Sequence, residues 1–261
     1  MPDLHIRLTE NDHDDAVRTD APALSEPEAL EMLRTSEIVA EKLVPWGSNY
    51  TFAVGLSPGE DEEPTYIGIY KPRLGERPLW DFPNGTLYLR EYASYLLSRW
   101  LGWNLVPPTV LRDGPHGPGS LQMYVEPTED DIDEAEFWGR RIPEIERMVM
   151  FDFISNNADR KIGHCLVDAN GRIWGIDHGL TFNVDPKVKT VLWQFSGEAI
   201  SEPVLNDVRR LLDDEAAIFD ELGEVLAEDE VLALKARVWH LVNSGRYPVL
   251  DPHYNVPYGW W

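Results

Sequence analysis

Asn156-Asn157-Ala158-Asp159-Arg160-Lys161-Ile162-Gly163-His164-Cys165-Leu166-Val167-Asp168-Ala169-Asn170-Gly171-Arg172-Ile173-Trp174-Gly175-Ile176-Asp177-His178-Gly179 is the most chemically suggestive stretch of the chain. His164–Val167 and Arg172–Ile176 are short apolar-rich runs, and Asp168-Ala169-Asn170-Gly171 between them is a strong turn signal, so the stretch reads as a β-hairpin. In an antiparallel hairpin the start of the first strand and the end of the second lie roughly 5 Å apart. The loop Asp159–His164 and the carboxylate of Asp177 must therefore converge. Two acids, a histidine and the cationic pair Arg160 and Lys161 at one end of a hairpin are what a metal–phosphate site requires: hard oxygen ligands for Mg²⁺ and a positioned base.

Taken singly, Asp159 reads as a turn cap and Asp177-His178-Gly179 as a strand-ending turn; together they point to chemistry. A zinc site from His164, Cys165, Asp177 and His178 is disfavoured, because neighbours on a strand point to opposite faces. The chain has no G-x-x-x-x-G-K-[ST] and no G-x-G-x-x-G after a strand, so neither a P-loop nor a dinucleotide fold is indicated. The prolines of Gly114-Pro115-His116-Gly117-Pro118-Gly119 delete the N–H donors of a phosphate nest, leaving a plain connector.

Outward from this centre the pattern is α+β. Glu37–Val44 and Tyr50–Leu56 are β-type runs around the turn Pro45-Trp46-Gly47-Ser48-Asn49, and Tyr66–Tyr70 is a third strand ending at Lys71-Pro72. A helix runs from the N-cap Thr86 to Leu101 with Gly102 as its stop, and Leu105–Leu111 and Ser120–Val125 complete a five-strand lobe with one helix. Ile145, Met148, Val149 and Phe153 make Ile142–Asn156 helical, and helical periodicity returns from Ser201 to about Asn243. The expected organisation is an acidic mobile tail over 1–34 with a short helix at Ser25–Leu33, a first lobe over 35–125 and a mainly α lobe over 126–261. Lys71 gains interest from its place between a glycine hairpin and a helix, an order that lets an ammonium reach phosphates. Glu91 is its natural partner on that helix, although helical counting puts it nearly opposite the Leu89, Ala93 and Leu96 stripe.

The 261 residues carry 46 acidic and 23 basic side chains, a net charge of −23, of which the first 34 residues hold −6. Such a surface repels phosphate backbones and acidic bilayers, which argues against nucleic acid and against stable membrane association. The lone Cys165, the absence of an 18-residue apolar run and an N-terminus without signal-peptide features lead to the expectation of a cytoplasmic protein.

The order glycine hairpin, Tyr70-Lys71-Pro72, Glu91-x-Ala93-x-Tyr95-Leu96, Leu101-Gly102-Trp103-Asn104-Leu105-Val106-Pro107-Pro108-Thr109, Gly119-Ser120-Leu121-Gln122-Met123-Tyr124-Val125, Asp159-Arg160 and Gly175-Ile176-Asp177-His178-Gly179-Leu180-Thr181-Phe182 resembles the phosphatidylinositol 3- and 4-kinase superfamily. The type II 4-kinases and their actinobacterial relatives are the best match; HipA-type kinases are a more distant one. The resemblance spans about 36–200 and implies a two-lobed protein-kinase-like fold, with ATP and Mg²⁺ or Mn²⁺ as ligands. It implies that Gly47, Ser48 and Asn49 cover the phosphates, that Lys71, paired with Glu91, binds the α/β-phosphates, and that Gln122, Tyr124 and Val125 form the hinge against adenine. Asp159 would orient or deprotonate the acceptor hydroxyl and Asp177 would hold the metal. Five residues after Asp159 the family carries asparagine as second metal ligand; here it is His164, a softer ligand that implies a preference for Mn²⁺ and activity falling below about pH 6.5. The acidic body favours a protein or small-molecule acceptor over an inositol lipid. A nucleotide-binding pseudokinase scaffold and an AMP transferase remain open.

Overall fold

Residues 22–45, 49–59, 64–128, 133–213 and 215–259 are described by a computed structural model. They form a five-stranded antiparallel sheet, a two-stranded hairpin and seven α-helices, divided into two compact units. The first unit comprises the described residues up to Tyr92 together with Pro108–Tyr124; the second comprises Ala93–Pro107 and the chain from Val125 onward.

In the first unit, β1 (Glu37–Leu43), β2 (Phe52–Ser57), β3 (Tyr66–Pro72), β4 (Thr109–Gly114) and β5 (Gly117–Met123) pair in the order β1-β2-β3-β5-β4. Lys71 pairs with Ser120 across β3 and β5. The fourth strand lies further along the chain than expected and the fifth begins and ends earlier, because the glycine- and proline-rich segment is itself a tight hairpin rather than a connector. A Cβ on Gly114 would come within 2.7 Å of the Tyr70 ring, and one on Gly119 within 2.6 Å of the same ring and of the Lys71 carbonyl oxygen. The tip of the hairpin therefore folds over Tyr70, whose hydroxyl donates to the Gly117 carbonyl.

The tail departs from expectation. The short helix near Ser25 exists as α1 (Glu26–Thr35), and the Glu28 carboxylate accepts the Ser25 N–H at 2.8 Å to close its first turn. This helix is docked: Leu33 is fully buried in one cluster with Val54, Leu56, Tyr70, Val110 and Leu121. Arg112 donates to the Leu33 and Ser36 carbonyl oxygens at 3.0 and 2.8 Å, satisfying acceptors that the helix end leaves open. Mobility expected up to residue 34 thus does not hold for Glu26–Thr35, and the sheet carries a helix besides α2 (Leu87–Trp100). Sequence counting missed this because the apolar face of α1 is narrow, and only the sheet supplies its partner. The remainder of the expected tail, residues 1–21, lies outside the described residues.

In the second unit, α4 (Pro143–Ser155) buries Ile145, Met148, Val149 and Phe153, the stripe read from the sequence. The other helices of this unit include α3 (Glu134–Trp138), α5 (Glu202–Asp213), α6 (Glu215–Gly223) and α7 (Glu228–Ser244), where α5 and α7 bury Val204, Val208, Leu211, Leu234, Val238 and Leu241. Strands β6 (Cys165–Val167) and β7 (Ile173–Gly175) are the expected hairpin, with Cys165 opposite Gly175. Among the described residues no helix is long and apolar enough to cross a membrane.

Candidate active site

The site in the second unit begins at the end of α4. Asn156 takes the left-handed conformation, φ 55°, and its N–H caps the helix on the Asp152 carbonyl. Its side-chain amide donates to the Asn183 and Asp185 carbonyls at 2.8 and 2.7 Å and accepts the Lys187 N–H at 2.7 Å. Asn157 donates its amide to Asp152 Oδ1 at 2.9 Å and accepts the Asp159 N–H at 3.0 Å, which fixes the backbone from which the Asp159 side chain departs.

Arg160, expected to offer positive charge to a ligand, is spent inside the protein. Its side chain is fully buried. It donates to both Asp152 oxygens at 2.9–3.1 Å, to the His164 and Ile176 carbonyls at 3.0 and 3.3 Å, and to His178 Nε2 at 2.8 Å. Burial alone would lower the guanidinium pKa, but the Asp152 charge outweighs it, so the group stays cationic. One side chain thereby ties α4, the loop Asn157–His164 and the Asp177-His178 turn together. Asp152 was missed in the sequence, although an acid between Phe151 and Phe153 in an apolar helix was a signal that a buried cation had to exist.

The hairpin produces the expected convergence. The Ile176 N–H bonds the His164 carbonyl at 3.0 Å, extending the β6–β7 ladder by one step. Asp177 then turns out of the strand with φ 59°, a left-handed conformation that aspartate tolerates better than most residues. His164 donates Nδ1–H to the Asp159 carbonyl at 2.9 Å, which leaves Nε2 as the lone-pair nitrogen of a neutral ring, 3.3 Å from Asp177 Oδ2. Burial pushes the His164 pKa below its usual value, overriding the Asp177 charge, so the neutral ring predominates at pH 7. Lys161 pairs with Asp159 at 2.8 Å. Burial raises the Asp159 pKa against the opposing hydrogen bond and charge of Lys161.

These donors fit a divalent cation. Two acceptor atoms, one imidazole nitrogen and one carboxylate oxygen, face each other at the separation of adjacent ligands that each sit about 2.1 Å from one ion. Among the described residues no three His, Cys, Asp or Glu side chains gather into a protein-only metal site. The set suits an ion whose remaining ligands are water and nucleotide phosphate, the usual arrangement for such ions in phosphoryl transfer.

In the first unit Lys71 Nζ is ion-paired with Glu91 Oε1, and the Glu91 side chain is only 4% exposed. The helix buries more than the stripe counted from the sequence, which is why Glu91, nearly opposite that stripe, is still enclosed. Asn49, expected at the phosphates, accepts the Arg77 N–H at 2.8 Å and so anchors the segment after β3; Gly47 and Ser48 lie outside the described residues. Gln122 is buried with its side-chain amide donated to Thr109 Oγ1 at 2.9 Å. The Tyr124 N–H bonds the Ile67 carbonyl at 3.1 Å, and the division between the units falls between Tyr124 and Val125.

The fold is kinase-like. A hydra Fam20 structure solved with sugar aligns over 84% of this chain and 88% of its own, with a TM-score of 0.57 at 15% identity. The Golgi casein kinase with Mn/ADP bound aligns over 84% of this chain and 74% of its own (TM-score 0.55, 16% identity), and the Helicobacter pylori proinflammatory kinase CtkA over 82% and 94% (TM-score 0.51, 13% identity). At sequence level the chain is 37% identical over 228 residues to Protein Rv2133c of Mycobacterium tuberculosis, covering 73% of this chain and 81% of the relative. The chain belongs to the same family as that protein. No family model matches the sequence.

Proposed function

We propose that this protein is an ATP- and divalent-metal-dependent phosphotransferase that moves the γ-phosphoryl group to a hydroxyl of a protein or soluble small molecule. The observation that carries the reading is the convergence of Asp159, His164 and Asp177, with His164 Nδ1 on the Asp159 carbonyl and Nε2 3.3 Å from Asp177. In the reaction the acceptor oxygen bonds to the γ-phosphorus, the bond from that phosphorus to the β–γ bridging oxygen breaks, and ADP leaves with the electron pair. Asp159 takes the hydroxyl proton, and its raised pKa makes the carboxylate a stronger base than an exposed one. Lys71, steadied by Glu91, offers charge to the α/β-phosphates. Asp177 and His164 hold the divalent ion, which when bound neutralises phosphate charge. Lys161, beside Asp159, is the cation in place of Arg160. The Mn and ADP of the Golgi casein kinase structure support the same ligands here.

Within the kinase fold, the resemblance of the Tyr70-Lys71-Pro72, Asp159-Arg160 and Gly175–Phe182 motifs to those of the phosphatidylinositol 3-/4-kinases supports a branch near that superfamily. The net charge of −23 argues for an acceptor away from an anionic membrane and against nucleic acid, and the lone cysteine suits a reducing, cytoplasmic setting. His164 also favours a second reading, a pseudokinase that binds nucleotide without turning it over. Incubation with ATP labelled at the γ- or the α-phosphate, with Mg²⁺ or Mn²⁺, separates the possibilities. Movement of the γ-label to protein or water is expected, and movement of the α-label would instead identify an AMP transferase. If neither label moves while ATP raises the melting temperature and Asp177→Ala removes that rise, the pseudokinase reading stands. Absence of any ATP-dependent shift with either metal would overturn all three.

A further inference from the structure

We propose that Asn255, far outside the kinase motifs, is a positioning residue for Asp159, acting through the segment 187–192; this rests on reading Asp159 as the proton acceptor. Asn255 folds its own turn by donating its N–H to the Asp251 carbonyl at 2.8 Å and accepting the Asp251 N–H on Oδ1 at 2.7 Å. With its other two groups it grips the segment, donating Nδ2–H to the Val188 carbonyl at 2.6 Å and accepting the Thr190 N–H on its own carbonyl at 2.9 Å.

The other side of the segment is bonded to the catalytic loop. The Lys189 N–H donates to the Asn157 carbonyl at 2.9 Å, the Arg160 N–H to the Lys189 carbonyl at 3.0 Å, and the Val191 N–H to the Arg160 carbonyl at 3.2 Å. Lys187 and Leu192 complete the account, their N–H groups bonded to Asn156 Oδ1 and Thr190 Oγ1 at 2.7 and 3.0 Å. The amides of residues 189–191 thus alternate between the catalytic loop and the Asn255 turn, as in the middle strand of a ribbon, with Arg160 and Thr190 paired in parallel.

Alternation along such a ribbon decides what the clamp controls. Arg160 and Thr190 are buried on one face. Asp159 and Lys161, one residue either side of Arg160, are directed to the other face and stay partly exposed. A shift of the segment therefore shifts the backbone that aims Asp159. Asn255 is suited to this duty because it needs one donor and one acceptor on the same side chain in one plane.

Asn255→Asp tests the inference. It keeps the acceptor for Asp251 but sets a second oxygen against the Val188 carbonyl. With γ-labelled ATP, Mn²⁺ and water as the acceptor, kcat should fall roughly 10- to 100-fold while KM for ATP stays within about twofold. Amide hydrogen exchange at Thr190 and Val191 should quicken, and Tyr254→Ala, an exposed neighbour in the same turn, should match wild type. Should the aspartate variant not fold, Asn255→Ala, which removes the grip on Val188 together with the Oδ1 acceptor for the Asp251 N–H, must show the same split. Unchanged kcat overturns the clamp, as does a joint loss of kcat, KM and melting temperature. A wild-type protein that moves no γ-label overturns the phosphotransferase reading itself, a failure distinct from a wild type and an Asn255→Asp variant that transfer equally.

Discussion

His164 Nε2 lies 3.3 Å from Asp177 Oδ2, with the opposite ring nitrogen committed to the carbonyl of Asp159. The nitrogen proposed to bind metal and the nitrogen bonded to the backbone of the proposed base are therefore held in one rigid imidazole, and the tautomer is set by that backbone neighbour.

His164→Asn replaces an imidazole nitrogen by an amide oxygen, the harder ligand that Mg²⁺ favours. Calorimetric titration of the ADP-bound protein with each metal should show the preference for Mn²⁺ over Mg²⁺ reduced roughly tenfold. An unchanged ratio would remove His164 from the coordination sphere.

Asp177 and Asp159 should separate binding from turnover. Asp177→Ala is expected to abolish the metal-dependent rise in melting temperature with ADP. Asp159→Asn should keep that rise while slowing γ-phosphoryl transfer roughly 10²- to 10⁴-fold. Equal loss of binding in both variants would contradict the assigned roles.

The Arg160–Asp152 pair is fully enclosed, with the two side chains 0% and 1% exposed. Asp152→Ala leaves a buried guanidinium facing carbonyls, and the expected cost is about 3–5 kcal/mol in urea unfolding. A cost under about 1 kcal/mol, the value of a surface pair, would mean that the cation is not enclosed in this way.

The two shifted groups of the site have opposite pH signatures in the metal-free protein. The folded-state pKa of His164 lies below 6.5, so below that pH the unfolded chain takes up the proton first and stability falls as pH drops; above it His164 has no effect. The same depression moves the acid loss of neutral imidazole below the pH 6.5 anticipated from an ordinary histidine. Asp159 has a raised pKa, so its contribution is present at low pH and is lost as pH rises through the folded value, making its carboxylate a cost at pH 7. Melting curves from pH 4.5 to 8 should show a weaker acid loss in His164→Asn and a higher melting temperature for Asp159→Asn at pH 7. A wild-type-like acid slope in the first variant would refute the assignment.

Docking of α1 makes Leu33 a core residue. Leu33→Ala should cost about 2–5 kcal/mol in chemical denaturation, the range for truncation in a packed core. A loose acidic tail would give no measurable change.

The hairpin around Asp168–Gly171, the α4 stripe and the convergence of Asp159 with Asp177 were readable from residue order, whereas Glu91 was named as the partner of Lys71 against its place in the helical count. Each depends on local periodicity or on the turn between two short strands, and such rules act within some twenty residues. Tertiary structure decided the rest. It turned Arg160 from a ligand-facing cation into a buried tie, because an acid eight residues earlier on α4 lies within reach only after the loop folds back. It docked α1 against a sheet whose strands arrive later in the chain. It also brought Asn255 to the segment beside the loop that carries Asp159, across 67 residues of sequence from Val188. Contacts at that separation leave no period in the sequence, since they are selected by which buried donors and acceptors must be paired once the chain has closed on itself.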